Sequence, residues 1–419
     1  MNRQRMTITA LAALLLACPS FAVDITPASS TSTRLSVTGF VQAFGTYYAN
    51  AGQGQTSSIG LDDRTQPSNQ FTDTIRTSRM TFNTITPNPE LGDVTTCFEF
   101  DLAPAWSQAT AFHIRQAYGT WGNFTLGQTW SNWVDGDAAA DEVDWFGPVG
   151  QAGYDNPRLP LASYKWQLNK ENSVIISFED HQGIYPGGLD GSNWGGSIYS
   201  TPVSPVANDS KYPSVVGVYQ YYDKWGHIAL RALAQNYGVY ALSSNGGQVT
   251  NTNTGGTQHI NKWGGAVQLS GQMNCFGLDV ERDSLVYNVY YGSGVGEYGY
   301  GLQSAQYMAG TQSINLYKNT GWTVGYTHTW DMKWRSNIVL SAVNFSTGGN
   351  IVTQPGDIKS QGDVEVNTFC KLTKTAELGI EYMYETVKTV NPNDVTNSDG
   401  TTGNKNTSSK VEIELKFNF

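Results

Sequence analysis

The last ten residues of the chain alternate between apolar and polar side chains. In the stretch KVEIELKFNF, every second residue is apolar, namely Val411, Ile413, Leu415, Phe417 and Phe419. This period-two pattern predicts a β-strand with one apolar and one polar face. The pattern stops on an aromatic residue with no polar tail after it, so we expect Phe419 itself to belong to the sheet.

The same alternation recurs from Leu35 onwards. Residues 80–82 and 94–102 alternate on either side of a turn at residues 87–92, and a tight hairpin is predicted at Trp121-Gly122-Asn123. Helical periodicity is nowhere sustained. Other alternating runs cover residues 112–118, 124–126, 174–178, 215–221, 228–232, 263–269, 276–280 and 378–384.

Long polar stretches separate these runs and alternate with short turns. They are rich in Gly, Asn, Ser, Thr and Pro and cover residues 50–70, 130–160, 183–212, 243–261 and 391–409. Residues 34–419 are therefore predicted to form an all-β, transmembrane antiparallel β-barrel of about 16 strands with long extracellular loops. A soluble sandwich or propeller is the alternative, but it would bury the Arg, Glu, Asp and Asn residues opposite the apolar face.

The first residues have the pattern of a secretory signal. Arg3 and Arg5 precede an apolar run of about ten residues, and Ser20 and Ala22 form a small-x-small cleavage site. Residues 1–22 are thus predicted to be a signal peptide, followed by a short segment, 23–33. The alternative is a lipobox in which Cys18 would be lipidated.

Charge and cysteine content exclude several classes of protein. The formal net charge is −10, so the chain lacks the excess of basic residues with which proteins bind nucleic acid. Beyond the signal, Cys97, Cys275 and Cys370 are odd in number and widely spaced, which is neither a disulfide framework nor a metal cluster. The sequence permits one disulfide among these cysteines and requires none. No metal and no cofactor are predicted.

Several stretches resemble the DcaP-like outer-membrane porins, which are trimeric channels linked to dicarboxylate uptake. The most specific is the region 114–131, with the motifs IRQAYGTWG and LGQTWS; weaker ones are TSRMTF at 77–82, GDV at 92–94 and the stretches 292–296, 330–336 and 378–382. The resemblance implies a sixteen-stranded barrel, a loop folded into the lumen, a basic constriction and a homotrimer. Its partners would be membrane lipid, lipopolysaccharide and the outer-membrane assembly machinery, in the outer membrane of a Gram-negative bacterium.

The chain departs from the family pattern at informative positions. Ser163 stands before Tyr164 where the family commonly has Arg, and Glu297 follows the Gly-rich stretch where Arg is usual. Residues 23–33 are too short for the coiled coil that some members carry. The expected preference for anions is therefore open to question.

Charged residues on the polar faces of strands are candidates for the pore lining. Three basic and four acidic residues follow from alternation alone: Arg79, Arg115, Arg231, Glu99, Asp101, Asp279 and Glu281. Arg158, Arg335 and Glu297 are added only by their position in the family pattern. Such residues set selectivity in channels, whereas the alternative is a ladder of salt bridges between adjacent strands that stiffens the wall.

The segment 130–160 is the predicted constriction loop. It carries Trp133 and five carboxylates, Asp135, Asp137, Asp141, Glu142 and Asp144. Aromatic residues would pack against the inner wall while the carboxylates face arginines across the pore. A solvated surface loop is the alternative. A calcium site is a weaker hypothesis because the spacing lacks the Gly and the terminal Glu of an EF-hand.

Aromatic residues near strand ends predict an interfacial girdle rather than a sugar-binding slide. The residues are Tyr47, Tyr48, Trp121, Trp225, Trp322, Trp330, Tyr382 and Tyr384. The five histidines are scattered and none lies in a nucleophile motif, so we expect a passive channel for small hydrophilic solutes and not an enzyme. A barrel enzyme or a structural barrel is the alternative. The final strand should close the barrel against the one near Leu35, with Phe419 as the assembly signal.

Overall fold

A computed structural model describes most of the predicted barrel. The described residues are 23–24, 33–50, 69–90, 92–102, 112–143, 153, 157–180, 198–200, 206–208, 211–241, 258–274, 283–295, 298, 305–308, 313–346, 358–390, 395–396 and 402–419. Among these residues, no helix is long and apolar enough to cross a membrane.

Sixteen strands of this part of the chain form one barrel wall. In chain order they are β1 Arg34–Asn50, β2 Arg79–Thr86, β3 Val94–Asp101, β4 His113–Trp121, β5 Phe124–Trp130, β6 Arg158–Gln167, β7 Asn172–Glu179, β8 Ser214–Asp223, β9 Gly226–Ala241, β10 Gln258–Asn274, β11 Asp283–Ser293, β12 Lys318–Thr329, β13 Trp334–Ser346, β14 Ile358–Lys371, β15 Ala376–Thr389 and β16 Lys405–Asn418.

Every strand pairs antiparallel with the next, and the last strand pairs with the first. The register of β16 against β1 runs from Phe40 opposite Asn418 to Asn50 opposite Ser409. The other edge of β1 pairs with β2, where Arg34 lies opposite Ile85. The sheet is therefore closed, and both the predicted fold class and the predicted partner of the final strand are confirmed.

Alternation along the strands separates an apolar outer face from a polar inner face. In β16, Val411, Ile413 and Phe417 are exposed, whereas Glu412 and Glu414 between them are buried. β15 repeats the pattern, with exposed Ile380 and Tyr382 on either side of buried Glu381. A barrel wall with this arrangement presents its apolar side chains to lipid and its polar ones to the lumen.

Short turns and long connections alternate around the barrel as predicted, but several strands are longer than expected. β10 begins at Gln258 and β16 at Lys405, inside stretches that the sequence indicated as loops. Likewise Trp130 ends β5 and Arg158 begins β6, so the candidate loop covers only 131–157. Residues 405–410 are all polar, and among residues 258–262 only Ile260 is apolar, so the starts of β16 and β10 lack the alternation that sequence reasoning relies on. The predicted run at 276–280 and the proposed signal, 1–22, lie outside the described residues.

Short additional strands extend the wall. Val23–Asp24 and Gln70–Thr74 both pair with β1, and Val206–Asn208 pairs with β9. Ile198–Ser200, Ala305–Met308 and Ser313–Leu316 form a separate three-stranded sheet. Val395–Thr396 pairs with Thr402–Gly403.

The terminal residue continues the seam between β16 and β1. The Gly39 N–H donates to the Phe419 carbonyl at 3.1 Å, and the Phe419 N–H donates to the Gly39 carbonyl at 3.0 Å. A Cβ atom at Gly39 would lie 2.3 Å from the Arg79 carbonyl oxygen and 2.8 Å from Phe419 Cζ. Position 39 therefore has no room for a side chain, and Phe419 packs directly over it.

We predict that deletion of Phe419 lowers the yield of folded barrel while export across the inner membrane is unaffected. The deletion removes two backbone hydrogen bonds and an aromatic contact at the seam, where unpaired edges are costly in lipid. The measurement is the heat-modifiable band on a gel after expression or in vitro folding. Phe419→Tyr keeps the seam and serves as the control, and an unchanged yield after deletion would contradict the prediction.

Candidate functional site

The segment 131–143 lies inside the barrel; it follows β5, and its first residues are held by β7. Ser131 Oγ donates to Glu179 Oε2 at 2.5 Å, and the Asn132 N–H donates to Glu179 Oε1 at 2.9 Å. Ser177 Oγ also donates to Glu179, at 2.6 Å. The fully buried Glu179 carboxylate thus fixes the point at which the chain leaves the wall.

Asp135 anchors the middle of the segment on β9 and β10. Arg231 Nη1 donates to Asp135 Oδ2 at 3.0 Å, Ser270 Oγ donates to the same oxygen at 2.5 Å, and His227 Nε2 lies 3.0 Å from it. Arg231 Nε also donates to the Asn132 carbonyl at 3.1 Å. All four side chains of this anchor are buried.

The electrostatics of this anchor favour the ionised form of Asp135. Burial alone would raise the pKa of the Asp135 carboxyl, but the Arg231 charge and the hydrogen bonds from His227 and Ser270 hold its pKa well below the usual range. Next to it, the Tyr222 hydroxyl donates to Asp137 Oδ2 at 2.8 Å, and its ring stacks on His227.

The far end of the segment is held by β13, β14 and β15. Arg335 pairs with Asp141 and also binds Glu377, with Nη1 at 2.5 Å from Oε2 and Nη2 at 3.0 Å from Oε1. Asn367 Nδ2 donates to the Asp141 carbonyl at 2.8 Å, and the Val143 N–H donates to Glu381 Oε2 at 2.9 Å. Hydrogen bonds from the segment therefore reach from β7 to β15.

Apolar contacts seal the segment against the wall. The Trp133 and Tyr290 rings lie edge to face with centroids 6.4 Å apart, and both side chains are buried. Ala140 clusters with Val286 and Val339, and Val143 with Phe44 and Phe369. A Cβ at Gly325 or Gly379 would come within 2.8 Å of Ala140 or 2.7 Å of Val143, respectively, so glycine permits the close approach.

The predicted lining residues of β2 to β4 form cross-strand ion pairs. Arg79 Nη1 lies 3.5 Å from Glu99 Oε1, and the buried Arg115 pairs with buried Asp101 on the neighbouring strand. His113 Nδ1 lies 3.0 Å from Asp101 Oδ1. These ion pairs form the salt-bridge ladder between adjacent strands that is the alternative to a pore lining. The same side chains also lie on the inner face, where a pore lining would be.

The structure describes only some of the remaining candidate residues of the pore lining and the loop. Arg158 lies over the Trp130 ring, with Cζ 4.5 Å from the centroid, and Glu142 is half-buried. Asp135 and Asp141 bind cations of the wall on which the loop lies, whereas we expected the loop carboxylates to face arginines across the pore. Asp144, Asp279, Glu281 and Glu297 lie outside the described residues.

Tyr48 does not belong to the aromatic girdle that the sequence predicted. It is 4% exposed, because it falls on the inner face of β1 together with Phe44 and Thr46. Its neighbour Tyr47 is exposed on the outer face. The other predicted girdle residues are also exposed, and two of them, Trp225 and Trp330, lie in turns; the rest are Trp121, Trp322, Tyr382 and Tyr384.

Sequence reasoning missed a group of acidic residues on the inner face. A signal was present for Glu365, Glu381 and Glu412, because each lies between two exposed apolar residues, but alternation does not say which polar positions the lumen buries. The residues are Glu179, Asp363, Glu365, Glu377, Glu381, Glu385, Glu412 and Glu414.

The chemistry of the Asp135 anchor favours a structural role. Asp135, Asp137 and His227 each offer a ligand atom, and these atoms lie within 4.8 Å of one another, but the Arg231 cation already occupies the Asp135 carboxylate. Ser270 and His227 both bind Asp135, whereas a Ser-His-Asp triad needs the histidine between the serine and the carboxylate. The arrangement therefore fits neither a metal centre nor a nucleophile.

A closed barrel with a polar interior and a loop folded along its inner wall defines the architecture of an outer-membrane porin. Residues 21–182 match the model of the family described as DcaP outer membrane protein. The resemblance seen in the sequence is thereby confirmed, as are the porin class and the outer-membrane location.

Solved structures share the fold at low sequence identity. The outer membrane channel DcaP of Acinetobacter baumannii has a TM-score of 0.70 at 18% identity, covering 94% of this chain and 99% of that one. A trimer form of OmpT from Vibrio cholerae and an anion-selective porin from Comamonas acidovorans each give 0.54 at 11% identity, covering 93% of this chain and 100% of theirs. No curated protein matches the chain.

We predict that Arg231→Met destabilises the protein by about 3–5 kcal/mol, because it leaves the Asp135 carboxylate buried without its guanidinium partner. Released from this anchor, the loop should also give larger current fluctuations in single-channel recordings. The measurements are denaturant unfolding and single-channel conductance. Lys170→Met, at an exposed turn position, is the matched control, and equal stability of the two variants would contradict the prediction.

Proposed function

We propose that the protein is a passive diffusion channel for small hydrophilic solutes. The observation that carries the proposal is the loop 131–143, which hydrogen-bonds along β7 to β15 and thereby narrows the lumen without entering the wall. Arg79 and Arg335 retain part of their exposure on the inner face, so charged groups meet the water that fills the pore. Permeation would then depend on pore radius and on the charge of the lining.

A barrel enzyme is the competing function. The family match and the fold are those of channels, and they support a protein that performs no chemistry on its solute. Of the described histidines, His227 is locked against Asp135 and stacked on Tyr222, which leaves no position for a substrate beside it. Absence of hydrolytic activity toward lipid and peptide substrates would agree with the channel.

Small organic anions, including dicarboxylates, are the solute class that the family resemblance favours. The inner-face cations Arg79 and Arg115 lie on neighbouring wall positions, and Arg158 is within electrostatic range of both. An anion could bind there only by competing with Glu99 and Asp101 for the same cations. The resemblance therefore supplies small organic anions as the candidate solute class. The ion pairs of Arg79 and Arg115 are an argument against that class.

A homotrimer is the proposed assembly, with membrane lipid and lipopolysaccharide around it and the outer-membrane assembly machinery as the folding partner. Strands β2, β3, β5 and β7 have 8, 8, 7 and 8 residues, whereas a membrane-spanning strand needs about 9–11. A wall that is too short for the bilayer is better covered by another copy of the chain than by lipid. β9 and β10, with 16 and 17 residues, are long enough to face lipid.

We predict that the purified protein gives discrete, ohmic conductance steps in a planar bilayer and lets small sugars enter liposomes in a swelling assay. The physical reason is an aqueous path bounded by a closed wall. Heat-denatured protein at the same concentration is the control. If folded protein gives no steps and no swelling, the channel function is wrong.

We also predict that Leu126→Arg, on the short strand β5, separates the trimer into monomers, because a charge would be buried between copies. Ile380→Arg places the same charge on the 14-residue strand β15 and should leave the trimer intact. Both parent residues are exposed in the single chain. Light scattering on detergent-solubilised protein measures the mass, and equal masses for the two variants would contradict this assignment of the interface.

A further inference from the structure

The glycine-rich stretch 292–296 spans the end of β11 and the start of the long connection to β12. Long connections of such barrels lie on the extracellular side. The described parts of this connection are 294–295, 298, 305–308 and 313–317. Their contacts show where the chain goes after it leaves the wall.

The chain turns into the lumen directly after β11. Gly292 lies on the same face of the strand as the buried, inner-face Tyr290, two residues before it. A Cβ atom at Gly292 would lie 2.6 Å from Val295 Cγ2 and 2.4 Å from Ala266 Cβ, so Val295 covers the inner face at this position. Gly294 makes the turn with a φ of 63°, in the left-handed region that favours glycine.

Contacts with β9 hold this turn in place. Tyr237 is buried on the same face of β9 as Arg231, and its hydroxyl donates to the Gly294 carbonyl at 2.9 Å. The Gly294 N–H donates to the Tyr317 carbonyl at 2.8 Å. A Cβ at Gly294 would lie 2.8 Å from Tyr237 Cε2 and 3.1 Å from Leu316 Cδ2. Both the start and the end of the connection therefore lie close to the inner face of β9.

The apolar side chains of the connection are buried together with those of the loop 131–143. Val295, Tyr298 and Tyr317 are all fully buried. Val295 and Tyr298 belong to one apolar cluster that also contains Trp133 of the loop and Tyr290 of β11. The two segments that fold inward thus pack into the same cluster on the inner wall.

The order of these contacts along β11 places the connection outside the loop. Trp133 meets Tyr290, whereas Val295 covers Gly292, which is two residues nearer to the extracellular end of the strand. A solute entering from outside would therefore reach the connection first and the loop second.

We propose that the connection 294–317 forms a second constriction of the pore, in series with the loop 131–143 and on its extracellular side, and that it lowers the size of the largest solute that passes. Pore diameter at the narrow points decides which solutes pass a channel. The glycines at 292 and 294 have a role in this arrangement, because side chains there would prevent the inward turn. The inference rests on the proposed channel function.

The first test replaces residues 294–317 by the dipeptide Asn-Gly. Ser293 and Lys318 lie directly opposite each other in the register of β11 and β12, so a tight turn can join them. We expect the single-channel conductance to rise about 1.5-fold or more, because one of two narrow points in series is removed. Larger oligosaccharides should also enter liposomes in the swelling assay.

The control shortens another long connection in the same way. Ala241 and Gln258 are also directly opposite, across β9 and β10. Residues 242–257 between them include only two large apolar side chains, Leu242 and Val249, and so have little with which to pack against an inner wall. Replacing 242–257 by Asn-Gly should leave both the conductance and the solute limit unchanged.

A point variant tests the same fold without shortening the chain. Val295→Asp places a charge in the apolar cluster, which disfavours the inward fold and leaves every residue of the wall in place. We expect a larger conductance with larger current fluctuations. Met332→Asp adds the same charge at the tip of a short turn, where the side chain is 92% exposed, and should behave as the wild type.

Each result decides a different statement. If the shortened variant folds and keeps the conductance and the solute limit of the wild type, the second constriction is wrong and the channel function stands. If the shortened variant does not fold, Val295→Asp decides by the same two measurements. No conductance from folded wild-type protein overturns the channel function and the second constriction with it.

Discussion

The structure depends on the pairing of β16 with β1. Hydrocarbon offers no partner for a backbone N–H or C=O group, so a sheet in a bilayer must leave no free edge. The hydrogen bonds between Gly39 and Phe419 extend this pairing to the last residue of the chain. Once the ring is closed, the relative height of every strand is fixed, and so is the position of each inner-face side chain that holds the loop.

Closure creates a second constraint, which the loop 131–143 meets. An inner wall with Glu179, Arg231 and Glu381 at widely separated positions needs partners for these groups, and the loop supplies backbone and carboxylate partners to all three. Buried ion pairs add little net stability, but a mismatched one is costly. We infer that these anchors fix where the loop lies more than they strengthen the barrel.

Alternation in the sequence predicted much of the wall but not the interior. It identified eleven of the sixteen strands, their faces and the closing pair, because lipid on one side and water on the other impose a period of two. It gave no run for β6 or for β11 to β14. It missed the strand ends at Gln258 and Lys405, where almost every residue is polar. It also misplaced Tyr48, since adjacent tyrosines in a strand must point to opposite faces and only one can join the girdle.

The contacts of the candidate site could not be predicted because they join residues far apart in the chain. Asp135 and Arg231 are 96 residues apart, and Val143 and Glu381 are 238 apart. Nothing local marks one carboxylate as an anchor and another, such as Glu412, as part of a repelling pair. That distinction depends on strand register and its irregularities. Asp101 is opposite His113 and pairs with Arg115, which lies where the register of β3 and β4 shifts, whereas Glu412 is opposite a second carboxylate, Glu381. The field across the pore is thus a property of how the strands align, and counting charges along the sequence cannot give it.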